Sequence, residues 1–534
     1  MSDMLSPGVY SRERDLTFNI TNIVSNVTGY VGMFRWGPAN EAVRITTNEA
    51  ELVRRFGQPD NATSLYFHSA LNYLLYTNPL IIVRAIDDAV AKNAVPTGET
   101  AILVANDDQY DNVSLTGKSF IGRYAGELAN GLVISAASDT DYASWEYSDA
   151  FEYAPQAGEF NMVVVDGNGT LTGSAGTIVE QYELVTLTPG DKKPDGTSAF
   201  IGKVLQDQSN LILLGDAAIV DFDAITGVYE VTLAGGVDGN VVAEVDFESA
   251  WDVFTNSEVI DIARVFTSGS PASGVTRAID IMVTRGDAIA FAAPRLADVY
   301  NVASPEVPVT QYFNTTINKN ESYAFYVDNW KLVNDKYNDR TIWIPTDSDA
   351  AAIHARTFSQ TEAWFSPAGF NRGQLKNVIK LAWNPNKAQR DVLYKNSINS
   401  VVAFPGEGTV LFGDKTALRR PSAFSRINVR TLFIVLKKNI SNAAKYQLFE
   451  LNDFITRSVF RNAVEAYLET VQARRGVSDF RVVCDESNNT PQIIDANEFV
   501  GDFYIAPARS INFIRLNFVA VATGVDFSEV ESAA

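Results

Sequence analysis

The 534-residue chain is long enough for about three or four domains of roughly 150 residues each. Its hydrophobic content of 46% is sufficient for ordinary cores and excludes wholesale disorder. Its net charge of −21 is opposite to that of a general nucleic-acid-binding protein. A single cysteine excludes intramolecular disulfides, and two histidines leave little scope for histidine-based zinc or acid–base sites.

The negative charge is concentrated in one internal part of the chain. Residues 91–245 carry 6 basic and 23 acidic side chains, whereas residues 371–534 carry 21 basic and 16 acidic ones. This contrast favours separate modules over chance variation in surface composition. The sequence predicts neither a signal peptide nor membrane insertion, because charged residues precede any apolar core and no apolar run approaches the ~20 residues that span a bilayer.

Residues 1–20 are typical of an extended arm, and residues 21–90 of the first part of a core domain. Pro7 and Gly8 prevent a helix at the start of the arm. A short helix is predicted over residues 48–56, with Asn48 as its N-cap and Gly57 as its stop. A second helix is predicted over residues 64–76, and a buried strand over residues 80–85.

Residues 91–245 have the pattern of a β-rich, acidic domain inserted into the core. Short apolar runs alternate with turn signals such as Asp166-Gly167 and Pro189-Gly190. Helical periodicity returns in residues 246–370, which we interpret as an α/β middle domain. Its predicted helices include residues 246–254, 274–284 and 347–358.

Residues 371–509 predict a compact C-terminal α/β domain, and residues 510–534 a final strand with a short acidic tail. The predicted elements of the domain are a helix over residues 389–395, a hairpin of residues 400–404 and 409–412, a long helix over residues 453–474, and strands over residues 480–484 and 499–505. The apolar run of residues 428–436 fits either a strand or a helix.

The sequence contains no arrangement that predicts catalysis, a metal or a cofactor. The segment Thr116-Gly117-Lys118-Ser119 is not a phosphate-binding loop, because Asn112 stands where that loop needs its first glycine. The acidic pairs Asp107-Asp108 and Asp485-Glu486 are interpreted as solvated surface, since they lie among turn residues and lack histidine or aromatic neighbours that would shift their pKa values. The remaining candidates are interpreted as packed side chains: His68, His354 and Cys484. We therefore expect no enzyme activity and no cofactor.

The long helix carries charged residues at four-residue spacing, namely Asp453, Arg457, Arg461, Glu465 and Glu469. The spacing predicts the ion pairs Asp453–Arg457 and Arg461–Glu465 on one face. Other faces carry apolar residues that can pack against a sheet: Phe454, Val464, Tyr467, Leu468 and Val471. The charged face is either a solvated surface held by its own ion pairs or a surface presented to a partner.

Apolar residues at both chain ends would form exposed, adhesive strands if they were left unpaired. They are Pro7, Val9, Tyr10, Phe18 and Ile20 in the N-terminal arm, and Phe513, Ile514, Leu516, Phe518, Val519 and Val521 in the C-terminal arm. Strands at chain ends suit addition to a sheet of a neighbouring chain. The alternative is that both strands pair within their own subunit.

Several sequence blocks resemble the contractile tail sheath proteins of myophages, and the T-even type in particular. The C-terminal blocks are INSVVAFPGEGTVLFGDKTAL at residues 398–418, NVRTLFIVLKKNISNAAKYQLFELND at residues 428–453, FRVVCDESNNT at residues 480–490 and IAPARSINFIRLNFVAVATGVDF at residues 505–527. The N-terminal SPGVY at residues 6–10 also matches. Departures occur at Ala129, where a glycine is common, and at Thr346-Asp347.

The resemblance implies a multidomain α/β (α+β) fold, in which the N- and C-terminal segments build an inner domain and the β-rich insertion lies outside. It further implies a homo-oligomer of stacked helical rings around a tail tube protein, joined by exchanged terminal arms and bounded by baseplate and tail terminator proteins. By position, Arg457, Arg461 and Glu465 are candidates for tube contact. The expected location is the virion tail, after assembly in the host cytoplasm.

Three alternatives remain at this point. The sheath of an R-type bacteriocin or another contractile injection system would carry the same features. A soluble α/β enzyme would need a cluster of titratable residues, and the sequence offers none. A secreted surface-array protein would explain the acidity, but would call for a secretion signal.

Overall fold

A computed structural model describes residues 26–220 and 228–512. The first segment contains β1 (Thr28–Gly32), β2 (Ala42–Ile45), α1 (Glu49–Phe56), α2 (Ser64–Leu74) and β3 (Leu80–Arg84). The inserted segment contains β4 (Val95–Pro96), α3 (Asp107–Asn112), β5 (Phe120–Gly122), β6 (Leu132–Ser138), β7 (Phe160–Asp166), β8 (Thr177–Val185), α4 (Ile201–Gln208), β9 (Ile212–Leu214) and β10 (Tyr229–Ala234).

The rest of the described chain alternates helices and strands. Its middle part contains α5 (Glu244–Asp252), β11 (Arg264–Phe266), α6 (Ala272–Arg285), β12 (Ile289–Ala292), α7 (Leu296–Val299), α8 (Glu306–Gln311), β13 (Ala324–Val327), β14 (Trp330–Asp335), β15 (Arg340–Pro345), α9 (Asp347–Gln360), β16 (Lys380–Leu381), α10 (Lys387–Lys395), β17 (Ile398–Phe404) and β18 (Gly408–Phe412). The C-terminal part contains α11 (Ile427–Lys445), α12 (Phe454–Ala473), β19 (Val477–Val483), α13 (Pro491–Asp495) and β20 (Asp502–Pro507).

An eight-stranded sheet joins three distant parts of the sequence. Its strand order is β18-β17-β13-β12-β11-β1-β3-β2. The six inner strands run parallel, and the edge strands β2 and β18 are antiparallel to their neighbours. Parallel sheets are covered by helices on both faces, which explains why the inner strands are almost wholly buried.

The sheet crosses the boundary that the sequence analysis places between residues 370 and 371. Strand β17 pairs with β13, so the hairpin β17–β18 belongs to the same sheet as the middle strands. The described C-terminal residues from α11 onward instead have their own apolar core, which includes Leu432, Phe460 and Leu468. Long-range strand pairing, rather than local sequence, decides where the boundary between the central sheet and the C-terminal residues falls.

The insertion is β-rich, as its turn signals indicate. Five antiparallel strands pair in the order β4-β10-β6-β7-β8, and β5 pairs with β9. Helix α4 covers this sheet through Ile201 and Leu205, a feature that the sequence analysis did not predict. Arg84, at the end of β3, ties the insertion to the core: its buried guanidinium donates to the carbonyl oxygens of Gly37, Ala125 and Asp238.

The buried carboxyl of Asp328 makes the central sheet sensitive to pH. One oxygen accepts a hydrogen bond from the backbone N–H of Val401 at 2.8 Å, and the other is buried without a partner. Burial raises the pKa of Asp328 from 3.8 to about 7. Because the folded pKa lies above the unfolded one, the folded state binds the proton more tightly, and the stability contribution of Asp328 is lost as pH rises through about 7.

We expect the Asp328→Asn variant to lack this part of the pH dependence. The neutral amide retains an acceptor for Val401 and cannot ionise. Burial lowers the pKa values of His68 and His354, which oppose the trend below pH ~6.5, so the useful quantity is the difference between the two proteins. The difference in thermal midpoint, variant minus wild type, should grow from pH 5 to pH 8. A constant difference would contradict the assignment to Asp328.

Candidate intersubunit site in the C-terminal unit

The C-terminal unit, residues 427–512, is built around the hairpin of helices α11 and α12. Phe460, Val464, Leu468 and Val471 recur at three- and four-residue spacing, so they line one face of α12 and meet the apolar face of α11. Asp453 begins α12 by accepting a hydrogen bond from the N–H of Thr456 at 2.8 Å. Cys484 is buried in this core, and its burial raises its pKa to about 11, so the thiol is an unreactive packing residue.

The charged face of α12 is only partly presented to solvent. Arg461 and Glu465 approach each other at 3.9 Å and are partly exposed, in agreement with the predicted pair. The predicted Asp453–Arg457 pair is wrong: Arg457 is 6% exposed and donates to the side-chain oxygen of Asn452 at 2.9 Å. The charged surface available to a partner is therefore shorter than the five charged residues at four-residue spacing suggest.

Strands β19 and β20 form a small antiparallel sheet at the surface of the unit. They pair from Val477 opposite Pro507 to Val483 opposite Asp502. Within the described parts of the chain, each of these two strands pairs only with the other. Helix α12 packs on one face of β19. The edges of a two-stranded sheet are places where further strands can add.

The predicted arm residues lie outside the described residues, with one informative exception at the root of the C-terminal arm. The buried carboxylate of Asp414 accepts hydrogen bonds from Ser510 at 2.7 Å and from the side-chain amide of Asn512 at 2.9 Å. Arg426 neutralises this carboxylate at 2.9 Å. The chain is thus fastened to the core immediately before residue 513, where the apolar arm begins.

The residues that could carry chemistry are engaged in structural contacts. His68 lies 3.0 Å from Asp335. The other histidine, His354, contacts Arg264 and Thr431 in the core. Asp107 pairs with Arg123 at 2.8 Å, and its side chain remains 48% exposed. Across residues 26–220 and 228–512, no group of three acidic, histidine or cysteine side chains could hold a metal ion.

A set of exposed apolar residues between α11 and α12 was not predicted from the sequence. Phe454, predicted to pack against a sheet, is 64% exposed. It belongs to a run of large exposed side chains that comprises Tyr446, Leu448, Phe449, Leu451, Phe454 and Ile455. The available signal was composition: residues 446–455 contain six large apolar residues at a point where two helices must be joined by a turn.

Comparison with known proteins places this architecture in one family. Residues 246–417 match the phage tail sheath protein central domain, and residues 419–520 match the phage tail sheath C-terminal domain. The chain is 32% identical to the tail sheath protein of Salmonella phage ViI, over 99% of this chain and 98% of that protein. The chain belongs to the phage tail sheath protein family. It is also 31% identical to the tail sheath protein of Enterobacteria phage T4, over 99% of this chain and 100% of that protein.

Solved sheath structures share the fold of this tail sheath chain. The contracted sheath of an extracellular contractile injection system, PVC, matches with a TM-score of 0.54 and 14% identity, over 99% of this chain and 100% of that chain. The sheath tail protein from Listeria innocua matches with a TM-score of 0.56 and 12% identity, over 90% of this chain and 94% of that chain. The predicted multidomain α/β fold and the predicted function, a contractile tail sheath subunit, are confirmed.

The described part of this tail sheath protein contains no helix that is both long and apolar enough to cross a membrane. The boundary between the matched central domain and the matched C-terminal domain falls after residue 417, between β18 and α11. It therefore coincides with the division between the central sheet and the C-terminal unit.

Proposed function

We propose that this chain polymerises as a helical cylinder around a tail tube, between a baseplate and a tail terminator, and contracts to drive the tube through the host envelope. The observation that carries the proposal is the 31–32% sequence identity to phage tail sheath proteins over 99% of this chain. Assembly takes place in the host cytoplasm, and the product is part of the virion tail. The subunit acts mechanically, without catalysis or a cofactor. The alternative is the sheath of a bacteriocin-type or other injection particle, because the chain shares its fold with the sheath of an injection system. Capsid genes next to the gene for this chain would exclude that alternative.

We assign the linkage of subunits to the terminal arms and the β19–β20 sheet. Residues 5–20 and 512–521 of neighbouring subunits would add as strands to the edges of this sheet, where backbone hydrogen bonds supply affinity. The fastening of Ser510 and Asn512 to Asp414 supports this arrangement, because it fixes the point from which the C-terminal arm leaves the subunit.

The energy for contraction would come from intersubunit contact rather than from nucleotide hydrolysis. If contraction buries roughly 300 Å² more apolar surface per subunit, the gain is about 7 kcal/mol at ~25 cal/mol per Å². Desolvation of polar groups lowers this figure, but the remainder is summed over every subunit of the cylinder. Rigid subunits joined by hinged arms can convert this free energy into a collective movement.

The proposed tube contact uses Arg461 and Glu465 on α12. Arg457 is not included, because its guanidinium is buried and bound to Asn452. We expect Arg461→Glu to reduce co-sedimentation with the cognate tube protein by about tenfold, since a reversed charge in a contact costs ~1.4 kcal/mol or more. The matched control is Lys203→Glu on the exposed face of α4 in the insertion, which should bind the tube normally.

Electron microscopy tests the whole proposal. Purified chain mixed with its tube protein should form striated tubes of the two proteins, and tube-free chain should sediment as polymer at high concentration. Discrete particles under both conditions would contradict a sheath role. Equal tube binding by wild type and Arg461→Glu would contradict the assignment of the contact while leaving the sheath role intact.

A further inference from the structure

The turn between α11 and α12 exposes an unusually large apolar surface. We call residues 446–455 the apolar tip; its six large side chains are exposed within the described chain. Monomeric soluble proteins rarely expose a contiguous apolar patch of several hundred Å² unless it binds something. Phe449 combines full exposure with a φ of 69°, a left-handed conformation that is unfavourable for a bulky residue.

The apolar tip is held in place rather than left loose. Asn452 donates its side-chain amide to the carbonyl oxygen of Glu498 at 2.7 Å, and Arg457 donates to Asn452 at 2.9 Å. The buried Arg457 therefore positions the tip through its hydrogen bond to Asn452. The tip also carries net negative charge, because Glu450 and Asp453 are its only ionisable carboxylates and it contains no basic residue.

A cleft of about 1080 Å³ opens at the opposite end of α12. It lies between the central sheet and the C-terminal unit, and its apolar walls include Trp364, Phe365, Phe412 and Val477. Its basic residues are Lys387, Arg372, Arg390, Arg475 and Arg509. They outnumber its two carboxylates, of which Asp414 is already neutralised by Arg426. The cleft thus matches the tip in both apolar character and charge.

The tip and the cleft of one chain are too far apart to meet. Phe454 belongs to the tip and begins α12, whereas Gln472 and Arg475 line the cleft at the end of α12. A helix of 20 residues spans about 30 Å. A surface projection on one side of a molecule and a complementary pocket on another side make a head-to-tail contact, which propagates into an open helical filament.

We propose that the apolar tip of one subunit inserts into this cleft of a second copy of the chain. This inference rests on the proposed sheath polymer and adds a side-chain contact to the backbone pairing of the arms. Insertion covers the tip's aromatic and aliphatic side chains with Trp364, Phe365 and Phe412, and brings Glu450 near the cleft's arginines.

Two variants of the full-length chain test the contact. Phe449→Ser combined with Leu451→Ser should reduce the sedimentable polymer at least about tenfold, because it removes two exposed anchors without touching a core. The matched control is Tyr153→Ser, an exposed aromatic residue of the insertion, which should polymerise like wild type. Circular dichroism and the thermal midpoint of the double variant should equal those of wild type. Normal polymerisation of the double variant would overturn the proposal.

Cross-linking identifies what covers the tip. Phe449→Cys together with Ala368→Cys in the cleft should give a ladder of covalent multimers when assembled tubes are treated with a short bis-maleimide, while each single variant should not; the buried Cys484 adds no background. A cross-link from residue 449 to the tube protein would overturn the proposal in favour of a tube contact. If wild type forms no polymer at all, the proposed sheath function fails before this contact is tested.

Discussion

Removal of residues 513–534 is expected to abolish polymerisation and leave a folded monomer. The cut falls after Asn512, so Ser510 and Asn512 retain their hydrogen bonds to Asp414 and the described core is unchanged. What is lost is the apolar run that would pair with a neighbouring subunit. Each lost strand removes several backbone hydrogen bonds and an apolar face from every subunit contact, so the defect multiplies along the cylinder.

Electron microscopy and sedimentation velocity measure this result on the purified proteins. Deletion of residues 1–19 should have the same effect, because both arms are needed for a connected mesh. The matched control is deletion of residues 529–534, which removes the acidic tail and keeps Phe513 to Val521. Full-length sheaths from the 513–534 deletion would contradict the proposed exchange of the C-terminal strand.

The local elements of this chain are predictable because their signals are local. Asn48 accepts from the N–H of Ala50 and Gly57 has a φ of 74°, as expected for the cap and stop of α1. Asp453 likewise begins α12. The hairpin β17–β18 agrees with its predicted position to within two residues at each boundary. Each of these features depends on residues within a few positions of one another.

Local sequence does not decide whether residues 428–436 form a strand or a helix. This run forms part of α11, and its apolar residues are spread around the helix because two cores cover it. Ile434 packs against the central sheet, whereas Leu432, Val435 and Leu436 pack in the C-terminal unit. A helix buried on two sides lacks the one-sided periodicity that distinguishes a helix from a strand.

The surface of the candidate site was less accessible to prediction. Four-residue spacing identifies which charges share a face of α12, but not that Arg457 turns inward to Asn452. The apolar tip was missed because exposed and buried apolar residues look alike in sequence. In both cases the deciding contact joins residues whose arrangement depends on tertiary packing.

The architecture suits a subunit that moves as a rigid body. Strands from residues 28–84, 264–327 and 398–412 interlock in a single sheet, so none of these segments can shift without breaking ladder hydrogen bonds. Large movements during contraction should therefore be confined to the arms and to the junction between the central sheet and the C-terminal unit. The proposed tip-to-cleft contact lies at that junction.

Replacement of Lys331 by methionine is expected to cause the largest loss of subunit stability. The buried ammonium uses its three N–H donors on Asn72 at 2.7 Å, Asp349 at 2.9 Å and the carbonyl oxygen of Lys376 at 2.8 Å. Asp349 is equally buried, and one of its carboxylate oxygens has no hydrogen-bond partner. Removing the cation leaves a buried negative charge uncompensated, which costs about 3–5 kcal/mol.

Calorimetry of the assembly-deficient 513–534 deletion measures this effect without interference from polymer. The matched control is Lys387→Met, which breaks the exposed pair with Asp391 and should change stability by less than ~0.5 kcal/mol. Adding Asp349→Asn to Lys331→Met should recover part of the loss, since the amide is neutral and still accepts from Tyr76. Equal, small effects of Lys331→Met and Lys387→Met would contradict the assignment of this stability to the buried Lys331–Asp349 pair.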